Sequence, residues 1–98
     1  MPTQEDLKKF ASAIIRNEKF GNTMYNLYDR WRDESAYEDI NEYGKALHKV
    51  ANEIVPCEYV KPTKRPFGVV VNYKGVKVHL YAKLNGCYLT FNAKVVTK

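Results

Sequence analysis

The chain is expected to form an α+β domain, with two or three N-terminal helices covering one face of a C-terminal antiparallel meander of three or four strands. Three observations lead there. Apolar residues recur at helical spacing as far as Ile54, the period switches to two after Pro56, and Asn85-Gly86 joins two alternating runs. At 98 residues, one domain with one core is the economical reading, with residues 1–55 its helical half and 56–98 its β half.

Thr3 caps a first helix expected from about Gln4 to Lys19, and Glu5 and Asp6 suit its positive end. Leu7, Phe10, Ala11, Ile14 and Ile15 form its apolar stripe. Gly21 reads as the stop, and Asn22 as the cap of a shorter second helix with Met24, Leu27, Tyr28 and Trp31 facing inward. Ser35-Ala36-Tyr37-Glu38 is a capping-box pattern opening a third helix. Ile40, Tyr43, Leu47, Val50, Ala51 and Ile54 carry its inward spacing, and Pro56 disfavours its continuation past Val55.

Cys57 to Lys61 is expected as a short edge strand, followed by a stiff basic loop, Lys61-Pro62-Thr63-Lys64-Arg65-Pro66. Strands should then run over about Phe67–Tyr73, Val76–Lys83 and Cys87–Val96. A two-residue Asn85-Gly86 turn sets Ala82 against Leu89, Leu80 against Phe91 and Val78 against Ala93. Its other face pairs Lys83 with Tyr88, Tyr81 with Thr90, His79 with Asn92 and Lys77 with Lys94. The preceding hairpin has two readings: a two-residue Lys74-Gly75 loop aligning Val71 with Val78, or a type I turn with a glycine bulge that sets Phe67 beside Tyr81.

Charge is divided unevenly between the halves. Residues 1–55 hold eight Lys/Arg against ten Asp/Glu, whereas residues 56–98 hold eight Lys/Arg and Glu58 as their one acid. A net of +7 on the second half points to an acidic partner. No apolar run approaches the roughly 20 residues of a membrane span, and the start MPTQEDLKKF, with Glu5 and Asp6 in an amphipathic pattern, is unlike a signal peptide. These features, and two cysteines outside any metal-ligand spacing, lead us to expect a cytoplasmic protein without metal or cofactor. Cys87, on the apolar side of its strand, reads as a small buried hydrophobe.

With helices on the apolar face, the other face carries Lys77, His79, Tyr81, Lys83, Tyr88, Asn92 and Lys94, and the loop adds Lys61, Lys64 and Arg65. Aromatic rings that stack on bases among lysines that neutralise phosphates are the chemistry of nucleic-acid platforms. A twisted ribbon could instead enter a duplex groove. The first functional expectation is therefore a non-enzymatic protein that binds an acidic partner, nucleic acid foremost. The alternative is a protein-binding regulator or inhibitor, acting in one form as a homodimer, that uses Tyr25, Tyr28, Arg30 and Arg32. Catalysis is not expected: His48, on the solvent side of the third helix, and His79 have no acid or nucleophile at triad spacing.

Overall fold

The computed structural model describes residues 2–34 and 40–96. Three helices, α1 (Gln4–Ile15), α2 (Glu18–Glu34) and α3 (Ile40–Ile54), precede four strands, β1 (Glu58–Lys64), β2 (Phe67–Tyr73), β3 (Val76–Asn85) and β4 (Tyr88–Val95). The strands form an antiparallel meander in the order β1-β2-β3-β4. The α+β architecture is as expected. Among the described residues no helix is long and apolar enough to cross a membrane.

The Thr3 cap is present as a full box: the Thr3 hydroxyl accepts from Asp6 N–H, and the Asp6 carboxylate accepts from Thr3 N–H, both at 3.0 Å. Helix α1 ends at Ile15, earlier than expected, because Asn17 restarts the chain. Its Oδ1 accepts from Phe20 N–H at 3.1 Å, so Asn17 rather than Asn22 opens the second helix. Gly21 therefore lies inside α2 instead of ending α1, and its bare face lies where a Cβ would sit 3.4 Å from the Phe91 ring. The capping pattern Ser35–Glu38 lies outside the described residues.

One core joins the two halves. Phe10 and Ile14 of α1, Phe20 and Met24 of α2, and Tyr43, Leu47, Val50 and Ala51 of α3 pack on Phe67, Val69, Val71, Val78, Leu80 and Ala82. Phe67 is its aromatic hub: the rings of Trp31, Tyr28 and Tyr43 lie at centroid distances of 5.4, 5.9 and 5.9 Å. Helix α3 closes tightly on β1 because Gly44 has no side chain. A Cβ there would stand 2.7 Å from Cβ of Pro62.

Strand β1 is longer than expected and absorbs most of the predicted loop. Pro62 pairs with Val69 and Thr63 with Gly68, and the ladder shifts between Tyr59 and Lys61. An edge strand tolerates proline where its missing N–H would face away from the sheet. The β2–β3 turn takes the two-residue form. Lys74 and Gly75 both have positive φ, 51° and 91°, as a type I′ turn needs, so Val71 pairs with Val78 and Phe67 with Ala82.

The β3–β4 register differs from expectation by two residues. Gly86-Cys87, not Asn85-Gly86, forms the turn, and Asn85 pairs with Tyr88, Ala82 with Phe91, Leu80 with Ala93 and Val78 with Val95. Gly86 alone in this turn has positive φ, 65°, the pattern of a type II′ turn with glycine first. The shift sets small residues opposite large ones, Ala82 with Phe91 and Ala93 with Leu80, where the expected register crowds Leu80 against Phe91. Because a shift of two preserves the strand faces, every side chain stays on its expected side. Cys87 does not: it sits in the turn, exposed.

Candidate basic face of the sheet

The helices take the face of Phe67, Val69, Val71, Val78 and Leu80, and alternation sends the other set to the opposite side. Two rows of paired residues cross that open face. One runs Lys61, Val70, His79, Lys94, and the next Thr63, Gly68, Tyr81, Asn92. Lys77 lies beyond the first row, beside Asn72 and Glu58, while Lys83 with Thr90 and Asn85 with Tyr88 continue toward the hairpin tip.

His79 is the centre of this surface. It is 7% exposed and shares a 2.8 Å hydrogen bond between Nε2 and the Thr63 hydroxyl. Its ring lies 4.8 Å from that of Tyr81, whose other contact is Lys94 Nζ at 5.8 Å from the ring centroid. Burial first, and then the charges of Lys94 and Lys61, push its pKa down from 6.5 to about 4. At neutral pH His79 is therefore an uncharged hydrogen-bonding group. Lys61, Thr63, Val70, His79, Lys94, Val95 and Val96 line a shallow hollow of about 440 Å³ around it.

The expected pair His79–Asn92 is not formed: His79 faces Lys94, and Asn92 faces Tyr81. Lys61, Lys77, Lys83 and Lys94 are exposed, and among the described residues none of them lies in an ion pair. Tyr88 is 77% exposed at the tip of the same face. Lys64 and Arg65 do not join this group. Lys64 pairs with Phe67 and so belongs to the helix-side phase of β1, at its edge, while Arg65 lies in the following turn.

Thr63 is the member that the sequence hides. Flanked by Pro62 and Lys64, it reads as loop, yet Lys61 and Thr63 stand at strand spacing. The second candidate group divides differently. Tyr28 packs on Phe67, the Arg30 guanidinium lies 5.9 Å from the Tyr43 ring and Arg32 pairs with Asp29 at 2.9 Å. Arg30 and Arg32 are nonetheless exposed, as is Tyr25 at 55%.

Elsewhere, His48 is half-buried rather than on the solvent side, and its Nε2–H donates to the Cys57 carbonyl at 2.8 Å. Burial raises the Cys57 thiol to about 11, leaving it unreactive at neutral pH. Among the described residues no group of three or more His, Cys, Asp and Glu is placed to hold a metal ion. Searches of protein-family models, curated proteins and solved structures find no match to the chain.

Proposed function

We propose that the protein is a non-catalytic binder of single-stranded nucleic acid, and that the strand lies across the open sheet face. The observation that carries this reading is geometric: Lys61 and Lys94, from opposite edges of the sheet, line one hollow with His79. Burial first, and then these two charges, act against a proton on His79. A phosphate seated in the hollow would accept hydrogen bonds from their ammonium groups and relieve that repulsion. Lys77 and Lys83 extend the charge to either side, and Tyr88 offers an open ring for base stacking.

Single strands are favoured over duplex on dimensions. Four strands set about 4.8 Å apart span roughly 14 Å between outer axes, more than the roughly 12 Å width of a major groove. Tyr81 contributes less to stacking than Tyr88, because His79 and Lys94 already occupy its ring. Truncating Tyr88 to alanine should cost about 1–3 kcal/mol of binding, the usual value of one base–aromatic stack.

The decisive test is fluorescence polarisation with labelled oligothymidylate and oligouridylate over a series of salt concentrations. Replacing Lys77, Lys83 and Lys94 together by glutamine should weaken binding and flatten the logarithmic salt slope by roughly 0.7 for each phosphate that is no longer neutralised. No binding at low salt, or an affinity indifferent to the triple replacement, refutes the reading.

A second reading, protein binding, draws on one feature. Tyr25, Leu89 and Phe91, with Arg16, Asn17, Glu18 and Asn22, line a groove of mixed polarity between the start of α2 and the hairpin tip, which Tyr88 also borders, and nearby Leu84 is 54% exposed. A partner that stays bound in a pulldown after nuclease digestion would favour this groove over the basic face.

A further inference from the structure

The two edges of the sheet are built differently. The β1 edge carries a ladder shift between Tyr59 and Lys61, the imide of Pro62, and the charges of Glu58, Lys61 and Lys64. These are the devices by which proteins keep an edge from pairing. The β4 edge has none of them except Lys94. Its sequence, YLTFNAKV, contains no proline, no bulge against β3 and no acid.

The phase of the ladder shows which backbone groups β4 leaves open. Val96 N–H donates to the Lys77 carbonyl at 2.9 Å, so Tyr88, Thr90, Asn92, Lys94 and Val96 turn their backbone groups toward β3. Leu89, Phe91, Ala93 and Val95 turn theirs outward. All four side chains lie on the helix side of the sheet and remain partly accessible, Val95 at 42%.

We propose that β4 pairs antiparallel with β4 of a second copy about a two-fold axis through Asn92, joining two four-stranded sheets into one. This register is singled out because it alone engages all four outward residues of each strand: Leu89 meets Val95 of the second copy, and Phe91 meets its Ala93. Large residues face small ones, and on the open face Lys94 meets Thr90 instead of another lysine. The same register brings Leu89 and Phe91 of the second copy beside Val95 and Ala93. Those two residues border a mainly apolar groove of about 250 Å³ between β4 and α1, lined also by Leu7, Ala11 and Val78. The second copy is the occupant favoured over a foreign peptide because the edge is complementary to itself in both hydrogen bonding and side-chain size. In the dimer the two basic faces become one continuous surface, but the pairing does not depend on what that surface binds.

The test is sedimentation equilibrium of the protein without nucleic acid, over a concentration series. The wild type should reach the dimer mass. Val95→Pro removes an outward N–H near the strand end without touching a bond to β3, and should weaken association roughly tenfold or more while the circular dichroism stays unchanged. Leu89→Glu and Val95→Lys should each weaken it, and the two together should restore it, because the new charges face each other across the axis twice. A wild type that stays monomeric at every concentration overturns the proposal. So does a dimer that ignores Val95→Pro, or a double variant no better than the singles, since either assigns self-association to another surface or register.

Discussion

His79 ties the stability of the molecule to pH. Its folded-state pKa of about 4 lies below the ordinary 6.5, so the unfolded chain binds the proton more readily. Its contribution is fully present above about 6.5, falls away as the pH drops toward 4, and is constant below that. Urea denaturation at a series of pH values should show His79→Gln with a flatter stability profile than the wild type across this window. Asp6, held low by hydrogen bonds with Thr3, and Glu53, held low by Lys19, are depressed carboxylates whose contributions are lost on further acidification. A variant profile parallel to the wild type would show that His79 does not titrate as its surroundings require. The same physics extends to binding. A phosphate between Lys61 and Lys94 offsets the charge that repels the proton, so binding should strengthen as the pH falls through the lower part of that window.

Among the elements, the residues reveal which face each strand presents, while register is harder to read. Alternation in Val76–Leu84 and Cys87–Val95 assigns faces, but it repeats every two residues and so admits any even shift. Asn85-Gly86 and Gly86-Cys87 are both workable turns, and the observed one sets Ala82 against Phe91 and Ala93 against Leu80, a match of size across strands that alternation alone does not weigh. Pro62 misleads for a related reason: a proline excludes a central strand but not an edge, and edge position is a property of the assembled sheet. The early end of α1 is legible in principle, since Asn17 is as good a cap as Asn22. Turn chemistry yields a prediction at this scale. Lys74 adopts φ of 51°, a left-handed conformation that costs an ordinary side chain roughly 1–2 kcal/mol and asparagine less. Lys74→Asn should raise stability by about 0.5–1 kcal/mol, measured by chemical denaturation, with the fold unchanged.

For the whole molecule, the asymmetry of charge becomes an asymmetry of surface. The helical layer mixes acids and bases, and among the described residues its ion pairs, such as Lys19–Glu53 at 2.9 Å, are internal to it. The lysines of the open face have no such partners among the described residues. Replacing Lys77, Lys83 and Lys94 together by glutamine should therefore leave stability within about 0.5 kcal/mol of the wild type. A thermal melt can verify this before the variant is used to judge binding. A large drop would mean that these side chains support the sheet, for instance through the Lys94–Tyr81 contact.

The chain's one tryptophan, Trp31, rests on Phe67 where α2 meets the sheet, and this placement gives the molecule an optical reporter without engineering. Selective excitation of the indole follows the seam between helices and strands. Tyr81 and Tyr88, on the far side of the sheet, answer instead to whatever arrives there. Loosening of the helical layer should change the indole emission, whereas a ligand settling on the outer surface should leave it alone and alter tyrosine emission.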